Sequence, residues 1–171
     1  MPETERLAIY PGTFDPITRG HVDVLERALH IFDAIEIAIG VNVAKTSLLS
    51  VEQRMELVRE STSHLSGISV AAFDGLIAEY AGRRGAVALV RGIRDCMDLE
   101  FERRMFFANR RLNPKLETVY FAPAEQHALV SASLVREIHR HGGDVGSFVP
   151  PAVVRVLSEL KDARQADGGS G

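Results

Sequence analysis

The sequence predicts a single α/β domain, a parallel sheet of five strands doubly wound by helices. Two observations predict it. Short, almost wholly apolar runs alternate along the chain with longer stretches whose apolar residues recur every three or four positions. The short runs also lack the in-out alternation of a half-solvated strand, so they suit strands covered on both faces. The length of 171 residues fits one domain, able to bury roughly 70% of the surface its unfolded chain would expose. With 46% hydrophobic and 25% charged residues, the composition excludes a disordered chain, a collagen-like fibre and a coiled coil.

The elements follow in order. Leu7-Ala-Ile-Tyr10 reads as a first strand ended by Pro11-Gly12, and Val22, Leu25, Leu29 and Phe32 mark a helix after it. Ile35 to Val41 is a second strand. Ser50-Val-Glu-Gln53 offers a capping box for a helix reaching about Leu65. Ile68 to Phe73 is the third strand, Leu76 to Arg84 a short helix, and Ala86 to Val90 the fourth strand. A helix from Met97 to Leu112, a fifth strand from Thr118 to Phe121 and a helix from Ser133 to His141 come next, the last stopping at Gly142-Gly143. Pro150-Pro151 opens a final helix through Val154, Leu157 and Leu160. Residues 1–162 are expected to form the domain, and 163–171, polar and Gly-rich, a flexible tail.

Twenty basic and 23 acidic residues leave a net charge of −3, so no bulk positive charge points to nucleic acid. Cys96 is the sole cysteine and cannot form an internal disulfide, as expected of a reducing, cytoplasmic compartment. The greasiest stretch, Ala34 to Val43, is interrupted by Glu36 and Asn42 and falls well short of the ~20 residues of a membrane helix.

Parallel sheets bind ligands beyond the carboxyl ends of their strands, and the polar residues there are unusual in kind. Gly12-Thr-Phe-Asp-Pro-Ile-Thr-Arg-Gly-His21 puts Thr13 at a strand end and His21 at a helix start, where N–H groups and the helix dipole favour anions. A plain cap by Thr18 with a solvated His21 is the competing reading. Asn42-Val-Ala-Lys45 adds a loop cation. Arg91-Gly-Ile-Arg94, at the end of an apolar run, suits bidentate capture of phosphate oxygens. An Arg network with Asp95, Asp98, Glu100 and Glu102 is the alternative. His127-Ala-Leu-Val-Ser-Ala-Ser133 supplies hydroxyls at a further helix start, followed by Arg136. No Ser-His-Asp or Cys-His nucleophilic set accompanies them, and no dedicated metal cage.

These residues carry a resemblance. Thr18-Arg-Gly-His21 resembles the (His/Thr)-x-Gly-His motif of the nucleotidyltransferase superfamily, and Val130-Ser-Ala-Ser133 with Arg136 its second motif, Ile-Ser-Ser-Ser/Thr-x-x-Arg/Lys. The longer strings Tyr10-Pro-Gly-Thr-Phe-Asp-Pro-Ile-Thr-Arg-Gly-His21 and Arg91-Gly-Ile-Arg94 with Asp98-Leu-Glu-Phe-Glu102 resemble the bacterial phosphopantetheine adenylyltransferases over about residues 6 to 161.

The resemblance implies a Rossmann-like nucleotidyltransferase fold and transfer of AMP from ATP to 4′-phosphopantetheine. The products are dephospho-coenzyme A and pyrophosphate, with Mg²⁺ riding on the triphosphate. It implies His21 as transition-state stabiliser, and Thr13, Lys45, Leu76, Ile77 and Arg91 as acceptor contacts. Thr13, Phe14, His21, Gly92, Ile93, Arg94, Glu102, His127, Ala128, Leu129, Val130, Ser131, Ala132 and Ser133 are the implied ATP contacts. Feedback by coenzyme A and assembly as a hexamer are implied as well. Three positions depart from the family pattern: Ala132 within the Ser triplet, His127 where an aromatic Tyr or Trp is common, and Val43 in place of a proline. A sister enzyme acting on nicotinamide mononucleotide or glycerol phosphate, or a non-catalytic nucleotide sensor, would share part of this pattern.

Overall fold

The structure is a computed structural model that describes residues 5–41 and 47–168. One sheet of five strands, all parallel, runs in the order β3-β2-β1-β4-β5. The strands are β1 (Leu7–Gly12), β2 (Ala34–Gly40), β3 (Ile68–Phe73), β4 (Ala88–Gly92) and β5 (Glu117–Phe121). Helices α1 (Arg19–Ala28), α2 (Val51–Ser61), α3 (Ile77–Arg84) and α4 (Cys96–Leu112) make the crossovers, and α5 (Ala132–Arg140) and α6 (Pro151–Gly168) close the chain.

Strand periodicity divides the apolar residues between the two faces. Ala8, Tyr10, Ile35, Ile37, Ile39 and Val90 pack with Leu25 of α1, Val58 of α2, Val135 of α5 and Leu157 of α6. Their neighbours Ile9, Ala38 and Leu89 pack on the opposite face with Ala78 and Ala81 of α3 and Leu116. Both faces are therefore covered, as the apolar runs require. Glu36 is the exception in β2. It points to the α3 face, is buried, and accepts hydrogen bonds from the Tyr80 hydroxyl at 2.7 Å and from Arg84 Nη2 at 2.6 Å.

The chain builds outward from β1 to β3, then returns to lay β4 against β1, with Ala8 opposite Ala88 and Ile9 opposite Leu89. Strand order reverses there, so a crevice opens beyond the carboxyl ends of β1 and β4. That crevice holds Pro11 to Phe14 on one side and Arg91 to Arg94 on the other.

Several boundaries differ from the sequence reading. β4 begins two residues later and carries Arg91 and Gly92 inside the strand, because Ile93 N–H still donates to the Phe121 carbonyl in the ladder. β1 continues through Pro11 and Gly12, which pair with Ala38 and Ile39. α1 stops at Ala28, short of Leu29 and Phe32, and α2 stops at Ser61 rather than Leu65. The stop after α5 is as expected. Gly142, at φ +75°, takes a backbone conformation open to glycine, and Gly143 N–H caps the Ile138 carbonyl. α6 does not end at residue 162; its backbone stays helical to Gly168, in keeping with the good helix formers Lys161, Ala163, Arg164, Gln165 and Ala166.

α4 departs furthest. Its buried side chains are Glu102 and Asn109, whereas Met97, Phe101, Met105 and Ala108, which share one stripe by their spacing, are exposed. Met97 is 83% exposed and Phe101 60%, and Leu99, Phe107 and Leu112 also face outward.

Candidate active site

Two cavities meet at the crevice. The first, of about 410 Å³, is lined by Thr13, Phe14, His21, Arg94, Ser131, Ser133 and Arg136 among others. The second, of about 840 Å³, runs over Val41, Phe73, Leu76, Ile77, Met105 and Phe106. Pro11, Gly12, Thr13, Arg91, Phe101 and Glu102 line both.

His21 is fixed by the start of its own helix. Thr18 is the N-cap of α1 and His21 the third helical residue, and the two form a reciprocal capping box. The His21 N–H donates to Thr18 Oγ1 at 3.4 Å, and the Thr18 N–H donates to His21 Nδ1 at 3.0 Å. A backbone N–H can only donate, so Nδ1 is an acceptor and the neutral ring carries its proton on Nε2. The ring packs against Phe14, with centroids 5.0 Å apart, and against Tyr10 at 6.1 Å. Burial, then the guanidinium groups of Arg94 and Arg91, push its pKa from 6.5 down to about 4. At neutral pH His21 is thus an uncharged Nε2–H donor, and not a cation. Thr18 caps the helix, as the competing reading has it, and that cap is what orients the histidine.

The turn before α1 is over-determined. Phe14 sits at φ +47°, a left-handed conformation rare for a bulky side chain. Asp15, buried beside it, accepts the N–H groups of Leu48 and Leu49, both at 2.9 Å. Arg136 donates to the Asp15 carbonyl at 2.6 Å and to Ser133 Oγ at 3.1 Å, which joins the second motif to the first.

Arg91 rises from the end of β4 in the shared wall. Its Nη1 donates to the Pro11 carbonyl at 2.5 Å, and its Nε donates to Glu102 Oε1 at 2.9 Å. Nη2 closes a second, very short contact to the same carboxylate. Arg94 forms a fork to Asp98, at 2.9 and 3.2 Å. Of the four acids of the competing network, Glu102 and Asp98 do pair with these arginines, in the cavity wall, while Glu100 pairs with exposed Arg104 and Asp95 caps α4.

A family model described as cytidylyltransferase-like matches residues 9–138 of the chain. A phosphopantetheine adenylyltransferase from Syntrophomonas wolfei subsp. wolfei is 44% identical over 154 residues, which cover 90% of this chain and 96% of that one. The chain belongs to the phosphopantetheine adenylyltransferase family. Solved structures agree on the fold. A bifunctional NMN adenylyltransferase/ADP ribose pyrophosphatase from Francisella tularensis superposes with a TM-score of 0.71 at 14% identity, covering 93% of this chain and 50% of that one. A protein assigned as a nicotinate-nucleotide adenylyltransferase from Vibrio parahaemolyticus gives 0.64 at 19% identity, covering 92% and 91%.

Of the positions that resemblance to the phosphopantetheine adenylyltransferases implies, most gather at these cavities. Thr13, Phe14, His21, Gly92, Arg94, Glu102, His127, Val130, Ser131, Ala132 and Ser133 line the first. Thr13, Leu76, Ile77 and Arg91 line the second. Three positions do not reach the first cavity lining: Ile93, Ala128 and Leu129. Ile93 is half-buried with its N–H in the β4–β5 ladder, and Leu129 is 86% exposed. Lys45 lies outside the described residues. Glu102 lines both cavities, but its carboxylate is committed to Arg91.

Asp15 and Tyr10 stood in the quoted string but were given no role of their own. Asp15 had a signal in the acidic side chain of the Thr-Phe-Asp-Pro turn; its partners Leu48 and Leu49 lie more than thirty residues on and gave none.

Proposed function

We propose that the chain transfers the adenylyl group of ATP to 4′-phosphopantetheine, giving dephospho-coenzyme A and pyrophosphate. The observation that carries this reading is the shared wall. A cavity rich in Arg, Ser and Thr beside an oriented histidine suits a polyanionic nucleotide. The adjoining cavity over Phe73, Leu76, Ile77, Met105 and Phe106 suits an uncharged, flexible arm. An acceptor phosphate at the boundary, beside Thr13 and Arg91, would face the α-phosphorus directly.

The reaction asks for little proton chemistry. The acceptor is a phosphate monoester whose oxygen is already anionic near neutral pH. That oxygen attacks the α-phosphorus in line, the bond to the bridging α–β oxygen breaks, and pyrophosphate leaves with the electron pair. No enzyme-bound covalent intermediate forms. The barrier is electrostatic, and donors fixed before the substrates arrive lower it. Held by Thr18, His21 offers Nε2–H to a non-bridging α-phosphate oxygen. Arg91 and Arg94 offer guanidinium N–H donors held in place by Glu102 and Asp98.

Mg²⁺ accompanies ATP in this reading. Among the described residues no three His, Cys, Asp or Glu side chains converge as a metal cage. The nearby carboxylates Asp98 and Glu102 are engaged by Arg94 and Arg91. An ion carried on phosphate oxygens would neutralise charge on the triphosphate. Coenzyme A bears both the pantetheine arm and an adenine nucleotide, so it would compete for the two cavities as a feedback inhibitor. A closed homo-oligomer, a hexamer by family resemblance, would cover the outward apolar side chains of α4. A cytoplasmic location follows from the coenzyme A assignment; no helix among the described residues is long and apolar enough to cross a membrane.

The test is stereochemical as well as analytical. ATP chiral at the α-phosphorus through a sulfur substitution should yield the thio analogue of dephospho-coenzyme A with inverted configuration. Retention would require two displacements and contradict direct transfer.

A further inference from the structure

Arg54, in the first turns of α2, is 4% exposed. Its Nη1 donates to the Thr13 carbonyl at 2.8 Å and reaches the Gly40 carbonyl at 3.5 Å, while its Nε donates to the Ser50 carbonyl at 3.3 Å. One guanidinium thus ties together the carboxyl ends of β1 and β2 and the cap of α2. No carboxylate among the described residues lies within ion-pair distance of it. Residues 42–46, Asn-Val-Ala-Lys-Thr, contain no acid.

A buried cation is costly unless a counter-charge answers it. Carbonyl dipoles solvate the guanidinium but leave its unit charge intact. The residues it holds are the ones that line the cavities: Thr13 faces both, and Gly40 faces the second. Pulling the Thr13 carbonyl toward Arg54 also turns the N–H of Phe14 to the opposite side of that trans peptide, away from Arg54.

We propose that Arg54 is a positioning residue whose buried charge has the acceptor phosphate as its counter-ion, acting from behind the Thr13–Phe14 peptide. This role rests on the assignment of the second cavity to a phosphorylated acceptor. The groups that touch the guanidinium, on Thr13, Gly40 and Ser50, carry no titratable side chain. Glu52 on the same helix is exposed and feels Arg54 only at a distance, while the buried Asp15 on the neighbouring turn faces Arg136 at 4.0 Å and accepts from Leu48 and Leu49.

Titration calorimetry with 4′-phosphopantetheine and with dephosphorylated pantetheine tests it on three proteins. Wild type should strongly prefer the phosphorylated form; if it does not, the acceptor assignment itself fails. Arg54→Gln keeps a donor for the Thr13 carbonyl but no charge. It should bind the phosphorylated acceptor about tenfold more weakly and pantetheine unchanged. Arg54→Lys keeps the charge and should stay within about threefold of wild type near pH 7. Its buried ammonium, lacking a carboxylate, should have a lowered pKa. Acceptor affinity should then decline between about pH 7 and about pH 10 more steeply than in wild type. Should Arg54→Gln not fold, the pH series on Arg54→Lys decides alone. A profile parallel to wild type, or an Arg54→Gln variant with undiminished preference for the phosphate, would overturn the role.

Discussion

The backbone N–H of Thr18 lies 3.0 Å from Nδ1 of His21, and the Thr18 hydroxyl oxygen lies 3.0 Å from the same nitrogen. A device that usually only ends a helix thereby chooses the tautomer of a site histidine. The ring edge away from the cap is left with Nε2–H as its single donor.

His21→Ala should lower kcat by on the order of 10²–10³ while ATP affinity stays within a few-fold, because the donor is aimed at charge that grows in the transition state. Steady-state kinetics alongside nucleotide titration checks this. A folded variant with near-normal turnover would remove His21 from the chemistry.

The lowered pKa of His21 carries a stability signature. The folded-state value near 4 lies below the unfolded value near 6.5, so the unfolded chain binds the extra proton first. Stability from this residue is complete above about pH 6.5 and is lost as pH falls from there toward about pH 4, by up to about 3 kcal/mol. His21→Gln, which cannot titrate, should show a flatter decline across that window in denaturant melts. Identical pH slopes for the two proteins would mean that His21 titrates normally.

Glu102 is buried against Arg91 in the wall that both cavities share. Glu102→Ala strands that guanidinium and should cost roughly 1–3 kcal/mol of stability, with KM raised for both substrates. Glu102→Gln keeps an oxygen to accept from Arg91 and should recover most of the stability. Urea unfolding and two-substrate kinetics on the pair check this. An Ala variant as stable and active as wild type would show the contact to be idle.

Much of this was legible beforehand, for local reasons. The Ser50–Gln53 capping box forms as read, with Gln53 Oε1 accepting the Ser50 N–H at 2.9 Å, because a cap depends on residues three apart. The strand cores stand where apolar runs stand. What stayed hidden depends on partners far along the chain. Nothing near Glu36 announces Tyr80 and Arg84, more than forty residues on. Nothing near Arg54 announces the Thr13 carbonyl, about forty residues earlier in the chain, to which it donates. The apolar run ends at Val90, although the backbone continues the strand through Arg91 and Gly92. In α4 the apolar spacing was visible but not its direction, because a stripe turned toward the core and one turned outward have the same period.

The outward side chains of α4 predict the assembly. The number of subunits comes from the family resemblance alone: light scattering at micromolar concentration should then give a mass near six times that of the 18.8 kDa chain, and charged substitutions at Leu99 and Phe107 should break it down. A persistent monomer in the unsubstituted protein would contradict a closed oligomer.

The central claim is adenylyl transfer across the wall between the two cavities, and pyrophosphate release tests it most directly. With ATP and Mg²⁺, the protein is offered 4′-phosphopantetheine, pantetheine, nicotinamide mononucleotide and glycerol phosphate in turn. Stoichiometric pyrophosphate is expected with 4′-phosphopantetheine alone, matched by dephospho-coenzyme A in the mass spectrum. Release with pantetheine, or with nicotinamide mononucleotide or glycerol phosphate in preference to 4′-phosphopantetheine, would contradict it.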